Sequence, residues 1–402
     1  MNAVGIDVSK GKSMIAVMRP GKETVIEPFE VGHTDNELID LAKVIQSLDG
    51  ETRVVMEATG NYHLPVAWML HDAGIYVSVV NAMLIHNYGN NTIRKGKTDK
   101  KDAQKIANYA IDNWTELPRY FPEEDVRLML RNCYRQYEHF SKIRTMMKNN
   151  LIALLDVTFP DANRLFNSPR RADGSEKWLD FVETFWHCQC VCGLTTAAFS
   201  KKYQRWCRKH GYNFSEEKAL DIYASACGHI CVMPKTEASE FMMKQAITQL
   251  QTVSKTLASL QQQMQTLAEK LPEYPVVMQR FGVGPTLGPQ LIAEIGDVRR
   301  FHSKKALVAF AGIDAPPYQS GTMDVRSRSI SKRGSSSLRR TVFLIMSVYL
   351  QQKPLDEPVY QFMDKKRAEG KPYKVYMMAS ANKFLRIYYA TVKTYLDALE
   401  AE

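Results

Sequence analysis

The chain opens on an apolar run, Val4-Gly5-Ile6-Asp7-Val8, whose pattern predicts a strand over residues 4–18 with residues 23–31 as its hairpin partner. Residues 36–48 have helical spacing, 53–57 read as a strand, 63–72 as a helix, and 75–81 as a strand rich in β-branched residues. A loop holding Asn87, Gly89, Asn90, Asn91 and Gly96 follows, then a helix from about 99 to 111. Strands first, then helices alternating with strands, predict a mixed α/β sheet of ribonuclease H-like order.

After Pro122 the period changes. Leu130, Tyr134, Tyr137, Met147, Leu151 and Leu154 share one face of a long helix. A second long helix starts near Ser239, where Leu257, Leu260, Met264, Leu267 and Leu271 alternate spacings of three and four, the seam of a coiled coil. That seam packs either against residues 124–154 or against another subunit. Residues 160–235 read as a helical insert holding most of the tryptophans and cysteines. Further on, Gly282-Val283-Gly284-Pro285 between two helices resembles a helix-hairpin-helix, in which Gly282 and Gly284 let backbone N–H groups approach a phosphate.

Composition narrows the class. The 402 residues are 45% apolar and 24% charged, an ordinary globular balance with room for two or three cores. No stretch nears 18 apolar residues, which reads against a membrane span, and an acid at position 7 with no basic segment before it reads against a signal peptide. Net charge is +10, and it is concentrated: between Arg299 and Arg340 ten Lys and Arg face only Asp314 and Asp324. A second knot is Arg94, Lys95, Lys97, Lys100 and Lys101, and a third runs from Lys201 to His210, interleaved with Tyr203 and Trp206. Clustered positive charge is the footprint of phosphate contacts, so a nucleic acid is the expected partner. In the third knot the aromatics either stack bases or fill an ordinary core. The seven cysteines, Cys188-x-Cys190-x-Cys192 among them, lack the usual paired C-x-x-C of a zinc site and are expected to be buried free thiols in a reducing compartment.

Against that basic background four acids stand out. Asp7 lies inside a strand, where an unpaired carboxylate is costly. Glu57 ends the run Val54-Val55-Met56 as a strand enters a Gly turn, and Asp99 and Asp102 share a face of the next helix, three residues apart. Two acids in a first helical turn also serve as plain dipole complements. Taken together, Asp7, Glu57, Asp99 and Asp102 form a candidate cup of hard oxygen ligands for Mg2+, with Mn2+ able to substitute.

In the C-terminal third, Gln319-Ser320-Gly321 lies in a Pro/Gly-bounded turn, followed by Ser331-Lys332-Arg333-Gly334 and a helix start at Ser335 through Arg340. Most serines in such turns cap helices or bond local backbone. The chain resembles the DEDD-type transposases of the one-hundred-and-ten family of insertion sequences, relatives of the Piv DNA invertases. The motifs that carry the resemblance are Gly5-Ile6-Asp7-Val8-Ser9-Lys10, Met56-Glu57-Ala58-Thr59-Gly60-Asn61-Tyr62, Lys97-Thr98-Asp99-Lys100-Lys101-Asp102-Ala103, Gly282-Val283-Gly284-Pro285, Phe310-Ala311-Gly312-Ile313, Gln319-Ser320-Gly321 and Ser331 to Arg340, in that order.

The resemblance implies a RuvC-like domain whose four acids hold the metal, with Ser320 as the nucleophile that links to DNA. It implies a transposase that recombines donor and target DNA, with guidance by a structured RNA from the element's own non-coding end. It further implies a homodimer that pairs into a tetramer, in the prokaryotic cytoplasm at the nucleoid. Arg326, Arg328, Lys332, Arg333, Arg339 and Arg340 are then candidate phosphate clamps. The expected division is a RuvC-like domain over 1–120, a helical and coiled-coil region over 121–275 with the insert at about 160–235, and a mainly helical transposase domain over 276–402. The competing readings are a hydrolytic nuclease of the junction-resolvase type, using the acid cup alone, and a non-catalytic nucleic-acid scaffold that keeps the folds for binding and bridging.

Overall fold

The computed structural model describes residues 1–88, 98–169, 171, 173–315, 319–320, 323–324 and 329–401. The chain divides into two compact units, Met1–Glu123 and Glu124–Glu402.

The first unit is built on five strands: β1 Asn2–Ser9, β2 Lys12–Arg19, β3 Glu23–Gly32, β4 Thr52–Glu57 and β5 Tyr76–Val80. Residues 4–18, expected as one strand, are therefore two. The apolar run is broken by the polar Ser9-Lys10-Gly11-Lys12, and Gly11 takes a left-handed φ of 79° that makes a tight turn. The sheet order is β3-β2-β1-β4-β5, antiparallel from β3 to β1 and parallel from β1 to β5. Helix α1 (Asp35–Gln46) carries the chain from β3 across to β4, and α2 (His63–Asp72) from β4 to β5. Helix α3 (Ala82–Tyr88) occupies part of the expected loop, Asn87 included, because Asn81 Oδ1 accepts the Met83 N–H at 2.9 Å and starts a helical turn. Helix α4 (Asp99–Asp112) follows.

Strand alternation assigns the two faces. Val4, Ile6 and Val8 of β1 and Val54 and Met56 of β4 join one core with Leu38, Leu41, Val66 and Leu70 of α1 and α2. Ala3 and Val55 face the other way and pack with Ile106, Ala107 and Ala110 of α4. Gly5 is what lets α4 come down onto β1: a Cβ there would sit 2.2 Å from the Ala103 carbonyl oxygen and 2.4 Å from the Ala107 nitrogen.

The second unit is largely helical. Two long helices, α5 (Asp125–Thr158) and α10 (Glu237–Ala268), pack along each other. Of the seam residues, Leu257, Met264, Leu267 and Leu271 are buried and Leu260 is half-buried, and Met264, Leu267 and Leu271 share a core with Leu130 and Tyr134 of α5. Between the two helices lie α6 (Lys177–Thr184), α7 (Gln189–Cys192), α8 (Thr196–Lys209) and α9 (Glu216–Gly228), so the insert is helical as its sequence predicts. Tyr203 and Trp206 of the third basic knot are core residues, stacked with their rings 5.7 Å apart, while Lys201, Lys202, Arg205, Arg208 and Lys209 are exposed. The aromatics of that knot thus fill an interior, the second of the two alternatives its sequence left open.

Beyond α10 come α11 (Tyr274–Met278), α12 (Leu287–Ile295), α13 (Lys304–Phe310), the short pair β6 (Gln319–Ser320) and β7 (Met323–Asp324), and the helices α14 (Ser336–Gln352), α15 (Pro358–Ala368) and α16 (Tyr373–Ala401). Arg127 at the start of α5 makes a two-pronged ion pair with Glu273, one contact at 2.9 Å, with both side chains almost fully buried. No helix among the described residues is long and apolar enough to cross a membrane.

Candidate active site

The first group of candidates sits at the carboxyl ends of β1 and β4. Chain order reverses between these neighbours: β2 and β3 extend the sheet to one side of β1, and β4 and β5 extend it to the other. Such a switch point opens a crevice at the strand ends, the usual place for a ligand in an open α/β sheet. Asp7 and Glu57 each stand one residue past the last β1–β4 register pair, Ile6 opposite Met56. By alternation Asp7 follows Ala3 and Gly5, and Glu57 follows Val55, onto the face that α4 covers. Both are half-buried, and Thr59 donates its hydroxyl to Glu57 Oε1 at 2.9 Å.

Helix α4 arrives with its first turn toward the same edge. Thr98 caps it, its hydroxyl accepting the Lys101 N–H at 3.3 Å. Asp99 is exposed and Asp102 half-buried, while Ala103, next in the helix, is the residue pressed against Gly5. Asp99 is also close enough to Lys12, at the start of β2, to raise that ammonium's pKa together with the larger effect of the Glu30 ion pair at 2.7 Å. The four acids therefore come from three elements that share one face and one edge of the sheet.

The donor set is all carboxylate, which fits a hard divalent cation such as Mg2+. Among the described residues no three His, Cys, Asp or Glu side chains are already gathered in the geometry of a bound ion. Arg94, Lys95 and Lys97, singled out for their charge, lie outside the described residues.

The second group belongs to the helical unit. Two segments, Phe310–Asp314 and Ser331–Ser335, are laced together at the base of β6 and β7. Ser331 N–H donates to the Asp314 carbonyl at 2.8 Å, Lys332 N–H to Gly312 at 3.0 Å, and Ser335 N–H to Phe310 at 2.7 Å. The Ser331 hydroxyl adds a bond to Asp314 Oδ1 at 2.5 Å. Gly334 lets the two segments touch, since a Cβ there would lie 2.2 Å from the Phe310 carbonyl oxygen.

Above this base Ser320 pairs with Met323 in the β6–β7 ladder. The side chain of Ser320 lies outside the described residues, as do Arg326 and Arg328. Of the other proposed clamps, Lys332, Arg333 and Arg340 are exposed, whereas Arg339 is half-buried and donates to the Ala311 carbonyl at 3.0 Å, which makes it part of the base.

Sequence reasoning missed what lies under that base. Glu294, almost fully buried in α12, accepts from the Ser335 hydroxyl and pairs with Arg135 of α5 at 2.9 Å. Arg135 also donates to Ser337 at 2.8 Å, and Ser337 donates to Glu138 at 2.6 Å. Burial raises the Glu294 carboxyl pKa, with Ser335 and Arg135 acting in the opposite direction. The signal was a single acid inside Leu291-Ile292-Ala293-Glu294-Ile295, a stretch read only as an apolar helix.

The glycines of the 282–284 turn differ from each other. Gly282 has a φ of 74° and backs onto Ile345 and Tyr349 of α14, where a Cβ would be 3.2–3.3 Å from their atoms. The left-handed φ and the close packing both favour glycine there. Around Gly284 there is open space.

Comparison with known proteins agrees with both groups of motifs. Residues 4–160 match the DEDD transposase family model, and residues 274–361 match the model of the transposase IS116/IS110/IS902 family. The insertion element IS110 43.6 kDa protein of Streptomyces coelicolor is 21% identical over 390 residues, covering 97% of this chain and 93% of that one. The pilin gene-inverting protein of Moraxella bovis is 23% identical over 341 residues, covering 85% and 80%. Among solved structures, Thermus thermophilus RuvC in complex with a Holliday junction substrate aligns to 29% of this chain and 96% of its own, with 14% identity and a TM-score of 0.23. The two family matches fall on the acid-bearing sheet unit and on the segment that holds Gly282, Ser320 and the 331–340 base, and together they span more than half of the sequence: the chain belongs to the IS110 family of transposases.

Proposed function

We propose that this transposase cuts and rejoins DNA through a covalent phosphoserine intermediate on Ser320, with Asp7, Glu57, Asp99 and Asp102 as ligands of Mg2+ or Mn2+. The observation that carries the metal-ligand assignment is the convergence of β1, β4 and the first turn of α4 on one face at the sheet's switch point. On a protein of net charge +10, a concentration of carboxylates where DNA must approach repels phosphate unless a cation offsets it. A bound divalent ion would supply charge stabilisation at the scissile phosphate.

The chain's own residues do the rest. The Ser320 oxygen bonds to phosphorus, the bond from phosphorus to a deoxyribose oxygen breaks, and that oxygen leaves as a hydroxyl. The serine's proton is lost and the leaving oxygen gains one, so the exchange is balanced and needs no nucleotide cofactor. A second DNA hydroxyl reverses the step and releases Ser320. Exposed Lys332, Arg333 and Arg340, with Arg326 and Arg328, bind phosphates on either side, and Gly284 leaves its backbone open to one more. Partners are donor and target DNA, a structured guide RNA from the element's non-coding end, and further copies of the chain as a dimer pairing into a tetramer.

The test is a denaturing gel of wild type, Ser320→Ala and Asp7→Ala incubated with Mg2+, DNA from the gene's own flanks and RNA transcribed from them. A DNA-shifted protein band in wild type, absent from both variants, is the expected result. Nicked DNA from wild type and Ser320→Ala alike, with no shifted band, overturns the serine mechanism in favour of water as nucleophile.

A further inference from the structure

Helix α8 of the insert divides its surface in two. Phe199, Tyr203, Trp206 and Cys207 lie on one side, inside the insert's core. At 3.6 residues per turn, Lys201, Lys202, Arg205, Arg208 and Lys209 fall within an arc of about 120° on the other side and span about 12 Å along the axis. All five are exposed.

The charge on this face is of one sign. The helix contains no acid, and among the described residues none of the five cations joins an ion pair. Lys202 keeps its ammonium 5.3 Å from the centre of the buried Phe185 ring. Other exposed helices set a carboxylate beside a cation: Asp40 with Lys43, Glu240 with Lys244 and Asp397 with Lys393, each three or four residues apart. In α8 the neighbours at those spacings are cations. Arg205 stands three or four residues from Lys201, Lys202, Arg208 and Lys209, and like charges so placed weaken a helix. The helix dipole accounts for Arg208 and Lys209 in the last turn, but not for Lys201 and Lys202. An anionic partner would turn the repulsion into attraction.

Arg171 adds a cation just past the stripe. Its guanidinium donates to the carbonyls of His210 and Gly211 at 3.2 and 3.3 Å and lies 4.1 Å from the centre of the Tyr212 ring.

The form of the partner follows from what the face lacks. Tyr203 and Trp206 point inward, so α8 presents no ring to an unstacked base, the main grip on a single strand. What it presents is charge for phosphates. Exposed Ala197 and Ala198 keep the start of the same face low. The major groove of B-form DNA is wide enough to admit such a helix, with Lys201, Arg205 and Arg208 toward the phosphates of one strand and Lys202 and Lys209 toward the other. The deep, narrow major groove of an RNA duplex is not.

We propose that the exposed face of α8 is an additional docking surface for double-helical DNA, held through its phosphates without regard to base sequence. The proposal rests on the reading of this chain as a protein that recombines DNA. The surface belongs to the insert's own core, separate from the core that carries the 331–335 base, so it grips duplex DNA independently of the Ser320 segment.

The test uses the full chain without divalent metal and a fluorescent DNA duplex of arbitrary sequence, with affinity measured across a range of salt concentrations. Binding here calls on neither Ser320 nor the four acids, so failure of this proposal and failure of the serine chemistry are read separately. Lys201→Gln/Arg205→Gln/Arg208→Gln should weaken binding at least about tenfold at about 0.1 M salt and reduce the slope of log affinity against log salt by about 2–3. Lys43→Gln/Lys244→Gln/Lys393→Gln removes the same formal charge from ion-paired positions and should bind like wild type. Equal losses in the two variants overturn the proposal, as does a loss seen on duplex RNA of the same sequence with none on DNA. In wild type, saturating duplex DNA should also protect Lys201, Lys202 and Lys209 from an amine-modifying reagent, read by peptide mapping. Full reactivity of all three overturns the proposal whether or not the variants fold.

Discussion

The two units handle carboxylates in opposite ways. In the helical unit Glu273 and Glu294 are buried at 1% and 3% exposure, and each is matched by an arginine. In the sheet unit Asp7, Glu57 and Asp102 are half-buried and Asp99 exposed, all at the edge where β1, β4 and α4 end. A buried carboxylate matched by a guanidinium holds helices in place, because taking away its partner strands a charge in the interior. The acids at the sheet's edge reach the surface, where a ligand can approach them. Position relative to the core, more than residue type, separates the acids that hold helices together from those to which we assign a ligand.

That contrast can be broken from either side. The largest effect is expected from Arg127→Ala, which leaves Glu273 buried without its partner and should cost about 3–5 kcal/mol, read by chemical denaturation of the helical unit. Next is Gly5→Ala in the sheet unit. The added methyl meets the backbone of α4, so a loss of about 1–3 kcal/mol is expected together with loss of strand transfer, since the helix that carries Asp99 and Asp102 must move. Unchanged stability in this variant would show that α4 is not held at Gly5.

Glu294→Gln should have a smaller effect, and one that depends on pH. The folded carboxyl has its pKa raised, chiefly by burial, so the folded state keeps this proton to higher pH than the unfolded chain does. Stability from this group is therefore full below the ordinary glutamate range and falls as pH rises through the raised value. Glutamine does not titrate and should flatten that slope, visible in melting curves taken across the acidic range. The smallest stability effect belongs to Asp102→Asn, within about 0.5 kcal/mol of wild type, with strand transfer nonetheless abolished. If Asp102→Asn instead melts the sheet unit, the acid is structural and the contrast between the units fails.

Much of this was legible in the sequence because periodicity survives folding. The apolar run Val4-Gly5-Ile6-Asp7-Val8 marked strand β1, and the spacing of Leu257, Met264 and Leu267 marked the buried side of α10, with Leu260 only half-buried beside them. The first hairpin was missed because apolar residues resume on both sides of Ser9-Lys10-Gly11-Lys12, and a single glycine carries the whole turn. Helix α3 was missed because its residues follow no clear amphipathic period. The support under the 331–335 base was hidden for a different reason. Glu294, Arg135 and Ser337 come from helices far apart in the sequence, and only packing shows that they meet.

The register of the first sheet also sets a timetable for synthesis. The β1–β2 and β2–β3 hairpins join neighbours in the sequence and can close while the ribosome is still near the start of the chain. Pairing of β1 with β4 waits for Thr52 to meet Asn2, and docking of α4 waits for Ala103 to reach Gly5. Synthesis runs from the N-terminus, so β1 and β4, with Asp7 and Glu57, leave the ribosome before α4 with Asp99 and Asp102. If the four acids act as we propose, their full set comes together only when α4 docks on β1, late in the synthesis of the sheet unit.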